Sequence, residues 1–288
     1  MSEIVVIGSI NADLITVTKK FPRVGETVIG EDFTILPGGK GANQAVCAAK
    51  LGANVQMIGC VGNDYNGRFL KDNFAEYGID SSSIHVLDNV PSGVAQITIA
   101  DNNNAIIVVS GANGKVTRDI VNRYKSRIKK ADIVVMQLEI PIETVEYVID
   151  FCYDNHVKVI LNPAPAKKLN QNIIEKVTYL TPNKIELQDI YGRPKEEVLR
   201  KYPNKVIMTA GSDGVYYHDG NQLVNVPACK VDVIDTTGAG DSFNGALAFG
   251  LSKNMLLPQA IEFANQTASK TIQKIGAQTA MPTLEELK

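Results

Sequence analysis

The sequence has no tryptophan and only three histidines, His85, His156 and His218, each isolated in a polar segment. Solitary histidines of this kind read as surface or loop residues, because a transition-metal site needs several nitrogen or sulfur ligands gathered together. The four cysteines, Cys47, Cys60, Cys152 and Cys229, are far apart and show no CxxC spacing. They read as reduced, packed thiols of a cytoplasmic protein. Charge of either sign is not in excess: 29 basic residues face 31 acidic ones, so neither nucleic acid nor a membrane surface is called for as a partner. No apolar run reaches the ~18 residues a spanning helix needs, and MSEIVVIG lacks a basic start, so it reads as a buried strand rather than a targeting segment. GxxxxGK[ST] occurs nowhere, and no GxGxxG follows the first strand. These two absences count against a P-loop enzyme and a Rossmann-type dehydrogenase.

What is present is a strand-then-helix rhythm. EIVVIG, GANQAVCAAKLGA, VQMIGCVG and NGRFLKDNFAEYG alternate short apolar runs with helical periodicity, and ADIVVMQ, VKVILNP, VTYLTPN and KVIMTAG continue the strand series. Such alternation predicts an α/β fold of three layers, a central mostly parallel sheet between helices. At 288 residues, 44% of them hydrophobic, the chain can bury a large core, and it reads as one domain over 1–288 with an appendage. That appendage comes from two stretches, 14–36 and 93–109, where β-branched residues alternate with polar ones and no helix intervenes. They read as antiparallel strands of a small separate sheet, the second turning at DNNN, with an apolar face to be covered by a cleft, a partner or both.

Open parallel sheets bind ligands beyond the carboxyl ends of their strands, and Glu139, Asn162, Asn183 and Thr209 each follow a predicted strand. Three segments carry chemistry there. In DTTGAGDSFNG, which starts at Asp235, the small residues Gly238, Ala239 and Gly240 leave backbone N–H groups free at a helix start, an anion-binding arrangement. Asp241 falls in the first turn of that helix, placed either as a base beside the bound anion or as a helix cap. PGGKGANQA, from Pro37 to Ala45, presents the Lys40 ammonium and the Asn43 amide to a polyhydroxylated ligand, or is simply a glycine-rich helix start. TPNKIE, from Thr181 to Glu186, puts Asn183 and Glu186 on one helical face, where hard oxygens suit a hydrated magnesium ion bound to phosphates. The same N-x-x-E is also an ordinary capping pattern.

Taken in order, GSINAD (8–13), GGKGANQA (38–45), MQLE (136–139), NPAPA (162–166), TPNKIE (181–186), TAGSDG (209–214), DTTGAGDSFNGA (235–246) and GAQ (276–278) resemble the ribokinase, or phosphofructokinase B, family of sugar and nucleoside kinases from end to end. The resemblance implies an ATP-dependent sugar kinase of ribokinase-like fold, with a β lid that covers the sugar and joins two subunits. It implies that Asp241 takes the proton of a primary sugar hydroxyl, and that the amides of Gly238, Ala239 and Gly240 stabilise the transferring phosphoryl group. Asn11, Asp13, Gly39, Lys40, Asn43 and Glu139 would bind the sugar. Asn183, Thr209, Gly211, Ser212, Gly214, Gly240 and Asn265 would line the nucleotide site. Glu186 would hold Mg²⁺ through water. Asp235, Thr237, Thr271, Lys274, Gly276 and Ala280 would surround an activating K⁺. The stretch between Gly192 and Lys205 is shorter than in many relatives, so a trimmed helix is expected there.

Within the family, an amide at Asn11 and a carboxylate at Asp13 suit vicinal hydroxyls, which favours D-ribose. The alternatives are a 2-deoxyribose kinase, which would favour an apolar residue at Asn11, and a fructose-phosphate kinase, for whose phosphate Lys19, Lys20 and Arg23 have no clear place. A nucleoside kinase would want more lid aromatics than Phe21 and Phe33. A regulator that has kept the fold but lost turnover is disfavoured by the intact Asp241 and its GAG turn.

Overall fold

The computed structural model describes residues 3–101 and 103–287; Asn102, within the expected DNNN turn, lies outside the described residues. The chain opens with β1 (Glu3–Ile7), β2 (Asn11–Thr18) and β3 (Gly30–Gly38), followed by α1 (Lys40–Lys50), β4 (Asn54–Gly62), α2 (Tyr65–Glu76) and β5 (Ile84–Leu87). β6 (Gly93–Ala100) and β7 (Asn103–Val109) come next, then α3 (Arg118–Asn122), α4 (Lys125–Ile128), β8 (Ile133–Met136), α5 (Ile142–Asp154) and β9 (Lys158–Leu161). The last part holds α6 (Gln171–Lys176), β10 (Tyr179–Leu180), α7 (Lys184–Tyr191), α8 (Lys195–Lys201), β11 (Met208–Thr209), β12 (Val215–His218), β13 (Leu223–Val226), α9 (Ala239–Ser252) and α10 (Leu257–Thr271).

The central sheet has the order β10-β9-β8-β1-β4-β5, parallel throughout. Its strands are continuous apolar runs because both faces are covered. On one face Ile4, Val6, Ile133, Val135 and Ile160 pack with residues of α1, α9 and α10 such as Val46, Phe243 and Ile261. On the other, Val5, Ile7, Val134, Met136 and Leu161 pack with α5 and α6 through Val145, Ile149 and Ile173. Alternate residues of one strand thus enter opposite cores, as the two-residue strand period requires. Beyond β10, single parallel bridges from Leu180 to Val206 and from Asn183 to Thr209 extend the sheet to the antiparallel set β11-β12-β13.

The second sheet has the order β3-β2-β6-β7. Each hairpin is antiparallel, but they join through a parallel pairing, from Asn11 opposite Gly93 to Val17 opposite Ile99, which the alternation pattern did not specify. The direction follows from the main sheet: β2 and β6 both leave it just past the carboxyl ends of the parallel strands β1 and β5, so they set out the same way. Along β7 every residue is exposed, including Ile106, Ile107, Val108 and Val109, and Phe33 of β3 is exposed as well.

Two local expectations change. Cys47, Cys60 and Cys152 are buried, but Cys229 is exposed, because its segment after β13 runs over the surface instead of into a core. His218 is buried on β12, where its Nδ1 accepts from Gly220 N–H at 3.1 Å, because β12 packs into the core; His85 is half-buried on β5 beside the Tyr124 hydroxyl at 3.0 Å. The short stretch after Gly192 forms α8, seven residues long. Among the described residues no helix is long and apolar enough to cross a membrane.

Candidate active site

The expected residues converge where α1 and α9 begin, at the carboxyl edge of the central sheet. Gly238 caps α9 in the left-handed region (φ 77°), which glycine adopts without strain, and this turn sends the chain directly into the helix. Asp241 follows in the first turn and is buried. It does not cap α9. Its Oδ2 accepts from Asn43 Nδ2 at 2.9 Å and its Oδ1 from Gln44 Nε2 at 3.0 Å, so two side chains of α1 hold both carboxylate oxygens. Gln44 is itself oriented by Gln137, whose Nε2 donates to Gln44 Oε1 at 2.7 Å, and it reaches Asn162 Oδ1 at 3.2 Å. Gln278 donates to Asn43 Oδ1 at 2.9 Å, which ties this cluster to the chain after α10.

Glu139, after β8, accepts from Ser9 Oγ at 2.5 Å and from the backbone N–H of Lys40 at 3.2 Å. Asn11 starts β2 and is 3% exposed, with its Oδ1 accepting from Asn113 Nδ2 at 2.6 Å. Asp13 is two residues farther along the same strand. Burial pushes the Asp13 carboxyl up to about 7, with the negative charges of Glu139 and Asp241 adding to the rise and Lys40 opposing it. Burial lowers the Lys40 ammonium, but Asp241, Glu139, Glu186 and Asp13 together outweigh it and hold Lys40 above the usual lysine range. An ammonium in the field of four carboxyl groups gives the cleft both donors and acceptors, which suits a ligand with several hydroxyls.

Next to this cluster is a cavity of about 550 Å³. Thr209, Gly211, Ser212, Gly214, Gly240 and Asn265 line it, six of the residues expected at the nucleotide. Asn183 does not line it; its place is at the start of α7, bridged to Thr209. The Gly240 N–H makes no hydrogen bond among the described residues, whereas Ala239 N–H donates to Thr236 O at 3.3 Å, so the expected anion hole is partly self-satisfied. The cavity meets the amino end of α9, where an anion is favoured by free N–H groups and the helix dipole.

The sequence matches the pfkB family carbohydrate kinase description over residues 1–284. The chain belongs to the pfkB family of carbohydrate kinases. It is 46% identical over 290 residues to a ribokinase of Lactococcus lactis, covering 100% of this chain and 96% of that one. With a Bacillus subtilis ribokinase the identity is 42%, covering 100% and 98%. Its fold is similar to that of the Arabidopsis thaliana ribokinase complexed with ribose and ATP, with a TM-score of 0.91 at 29% identity and coverage of 100% and 98%. As a pfkB kinase the chain is an ATP-dependent carbohydrate phosphotransferase.

The residues this family would assign to metals fit unequally. Asn183 and Glu186 form a full capping box, each side chain accepting the other's backbone N–H at 2.8 and 2.9 Å, so the ordinary explanation of N-x-x-E is realised. Glu186 nonetheless keeps Oε1 out of that box. Burial raises its pKa, offset in part by the Asn183 N–H and by Lys40. A divalent ion held through water at Oε1 suits a carboxylate so placed. Asp235 accepts from Thr237 N–H and Oγ1 and from Gly276 N–H at 2.7–2.9 Å. Burial works against its charge, but these bonds win and leave Asp235 below the usual carboxylate range. It therefore holds the 271–280 loop as an anion. The Thr271 side chain is turned inward to Ser242 and Thr267, and the Lys274 ammonium is drawn off to Glu286 at 2.8 Å. What remains for a monovalent ion here is mainly backbone carbonyl oxygen, and two carbonyls of the loop, Gln278 and Thr279, already face the ammonium of Lys50 at 3.2 and 3.4 Å.

Sequence reasoning missed Gln44, Gln137 and Asn113, the buried amides that hold the expected residues in place. Gln44 and Gln137 sit inside the motifs GGKGANQA and MQLE, but one amide in a motif gives no sign of which neighbour it orients. It also missed the cavity wall from Ala228 to Val233, an irregular segment with no periodic pattern.

Proposed function

We propose that residues 1–288 act as one kinase unit that transfers the γ-phosphoryl group of ATP to the O5 hydroxyl of D-ribose, giving ribose 5-phosphate and ADP. The single observation that carries this reading is the buried Asp241 carboxylate, held by Asn43 and Gln44 one residue past Gly240, which lines the cavity. In the reaction O5 attacks the γ-phosphorus, its proton passes to Asp241, and the bond to the β-phosphate oxygen breaks to release ADP. The Gly238 and Gly240 N–H groups meet the charge that develops on the transferred group, a donor of this kind contributing ~3 kcal/mol. Asn11, Asp13, Lys40 and Glu139 grip the ring hydroxyls and turn O5 towards Asp241. Positioning and electrostatics supply the rate, with no covalent enzyme intermediate.

Glu186 would hold Mg²⁺ through water, where the ion would supply neutralisation of the phosphate charge. Backbone carbonyls of the 271–280 loop, beside Asp235, would hold a K⁺ whose charge would steady the turn that presents Gly238 and Gly240. The exposed apolar residues of β7 and β3 support a lid that closes over the sugar and pairs with a second copy of the chain. The relatives named ribokinase favour ribose over other sugars. The test is ATP-dependent phosphorylation of D-ribose, 2-deoxy-D-ribose, fructose 1- and 6-phosphates and several nucleosides, with Mg²⁺ and K⁺ present. Preferred turnover of ribose is expected. Preference for another member reassigns the substrate, and no turnover of any member by the folded chain points to an untested sugar or to a regulator that has kept the fold.

A further inference from the structure

Asn113 belongs to the 3-10 turn Gly111–Lys115, which brings the chain back from the lid to the core, and it is 1% exposed. Every polar atom of its side chain is used. Its Oδ1 accepts from Ile10 N–H at 2.9 Å, and its Nδ2 donates to Ile10 O at 3.1 Å and to Asn11 Oδ1 at 2.6 Å. The backbone decides this orientation, because an N–H only donates and a C=O only accepts. With Ile10 fixing both ends of the Asn113 amide, the remaining N–H needs an acceptor, and Asn11 turns its oxygen to meet it. The Asn11 Nδ2 is the end left over. It makes no hydrogen bond among the described residues, yet it is not among their sealed, unpaired side-chain atoms, so it reaches open space. The contact also explains Gly93 at the start of β6: a Cβ there would lie 2.2 Å from Asn113 Nδ2 and 2.4 Å from Asn11 Oδ1.

We infer that Asn113 is a positioning residue that selects which end of the Asn11 carboxamide meets the sugar, so that Asn11 offers a donor to one hydroxyl oxygen while Asp13 supplies the acceptor for its neighbour. A vicinal diol is the ligand class that matches such a donor and acceptor two residues apart on one strand face. This inference rests on the assignment of Asn11 and Asp13 to the sugar. Asn113 itself touches no substrate; it acts through Asn11.

The test replaces both N–H donors while keeping the acceptor for Ile10. In Asn113→Asp, Asn11 turns its Nδ2 to the new carboxylate and shows the sugar an oxygen. Steady-state rates are measured at saturating ATP with D-ribose and its 2-deoxy and 3-deoxy analogues. The expected result is a KM for ribose raised about tenfold or more, the equivalent of one lost hydrogen bond, with kcat within about threefold of the parent. For whichever deoxy sugar lacks the hydroxyl facing Asn11, KM changes by less than about threefold, since nothing remains there to lose. In an Asn11→Ala background the Asn113→Asp change has no further effect on KM. If thermal melting shows that Asn113→Asp fails to fold, Gly93→Ala drives a methyl into the same contact and is read the same way. An unchanged ribose KM in a folded variant overturns the inference, as do equal losses on all three sugars or full additivity with Asn11→Ala. A wild-type enzyme that does not use ribose removes the substrate assignment and the inference with it, whereas an active wild type with an indifferent variant removes the inference alone.

Discussion

Gln44 donates from Nε2 to Oδ1 of Asp241 at 3.0 Å, across 197 residues of sequence, while Asn43, its neighbour on α1, takes the other oxygen. A base held by two amides cannot rotate away from an incoming hydroxyl. Asp241→Asn removes the proton acceptor and keeps the shape, so kcat falls by roughly 10²- to 10⁴-fold while sugar affinity measured by calorimetry changes little. Turnover at the parental rate would remove Asp241 as the base.

Gln44→Met keeps the volume of the side chain and deletes the donor. The expected loss is about tenfold in kcat with the KM for sugar nearly unchanged, because a hydrogen bond to a charged group is worth ~1.5–3 kcal/mol and only part of it is felt at the transition state. Gln137→Met acts only through Gln44, so the double variant loses no more than Gln44→Met alone. Additive losses would show that Gln137 serves packing instead.

Asp13, raised to about 7 chiefly by burial and then by Glu139 and Asp241, sets a pH dependence with a definite sign. The folded state holds this proton more tightly than the unfolded chain, whose carboxyl has its ordinary value near ~3.9. Its contribution to stability is therefore complete below about 4 and is lost as pH rises towards about 7. Melting temperatures of the ligand-free protein and of Asp13→Asn, compared from pH 4 to 8, should show the parent losing ground to the variant up to about 7 and no further change above it. Parallel curves across that window would refute the assignment.

Three thiols are sealed in the core, with burial pushing Cys47, Cys60 and Cys152 each up to about 12, while Cys229 is exposed and lines the cavity. Iodoacetamide should modify Cys229 first and slow turnover, and ATP should protect both the thiol and the activity. Peptide mapping checks it; alkylation of Cys229 at the same rate with and without nucleotide would place ATP elsewhere.

If the proposed K⁺ is held beside Asp235 at the 271–280 loop, replacing K⁺ by Na⁺ should depress kcat. Equal rates in both salts would leave that loop as a purely structural turn, held by the Asp235 bonds already present.

The frame of the molecule was legible because it follows from periodicity: apolar runs too continuous for a one-faced sheet became β1, β4, β8 and β9, and the glycine-rich starts of α1 and α9 fell where the small residues put them. Asp241, Asn43 and Glu139 were readable for a related reason, since motif residues at helix starts and strand ends have few places to go. The parallel seam between β2 and β6 was not readable, because alternation says which face a residue takes and nothing about strand direction. Nor was the work of Asn113 or Gln137. A buried amide is recognised by its partners, and theirs lie 93 to 103 residues away.

The bonds that assemble the site span nearly the whole chain: Asn43 reaches Asp241 across 198 residues and is reached by Gln278 across 235. A ribosome that has made only the first two hundred residues has released every group assigned to the sugar except the base. Such a nascent chain still lacks α9, which carries Asp241 and fills the core between α1 and the central sheet. The site is thus closed by a contact between α1 and α9, and the two side chains that hold Asp241 wait on α1 for a helix made almost two hundred residues later.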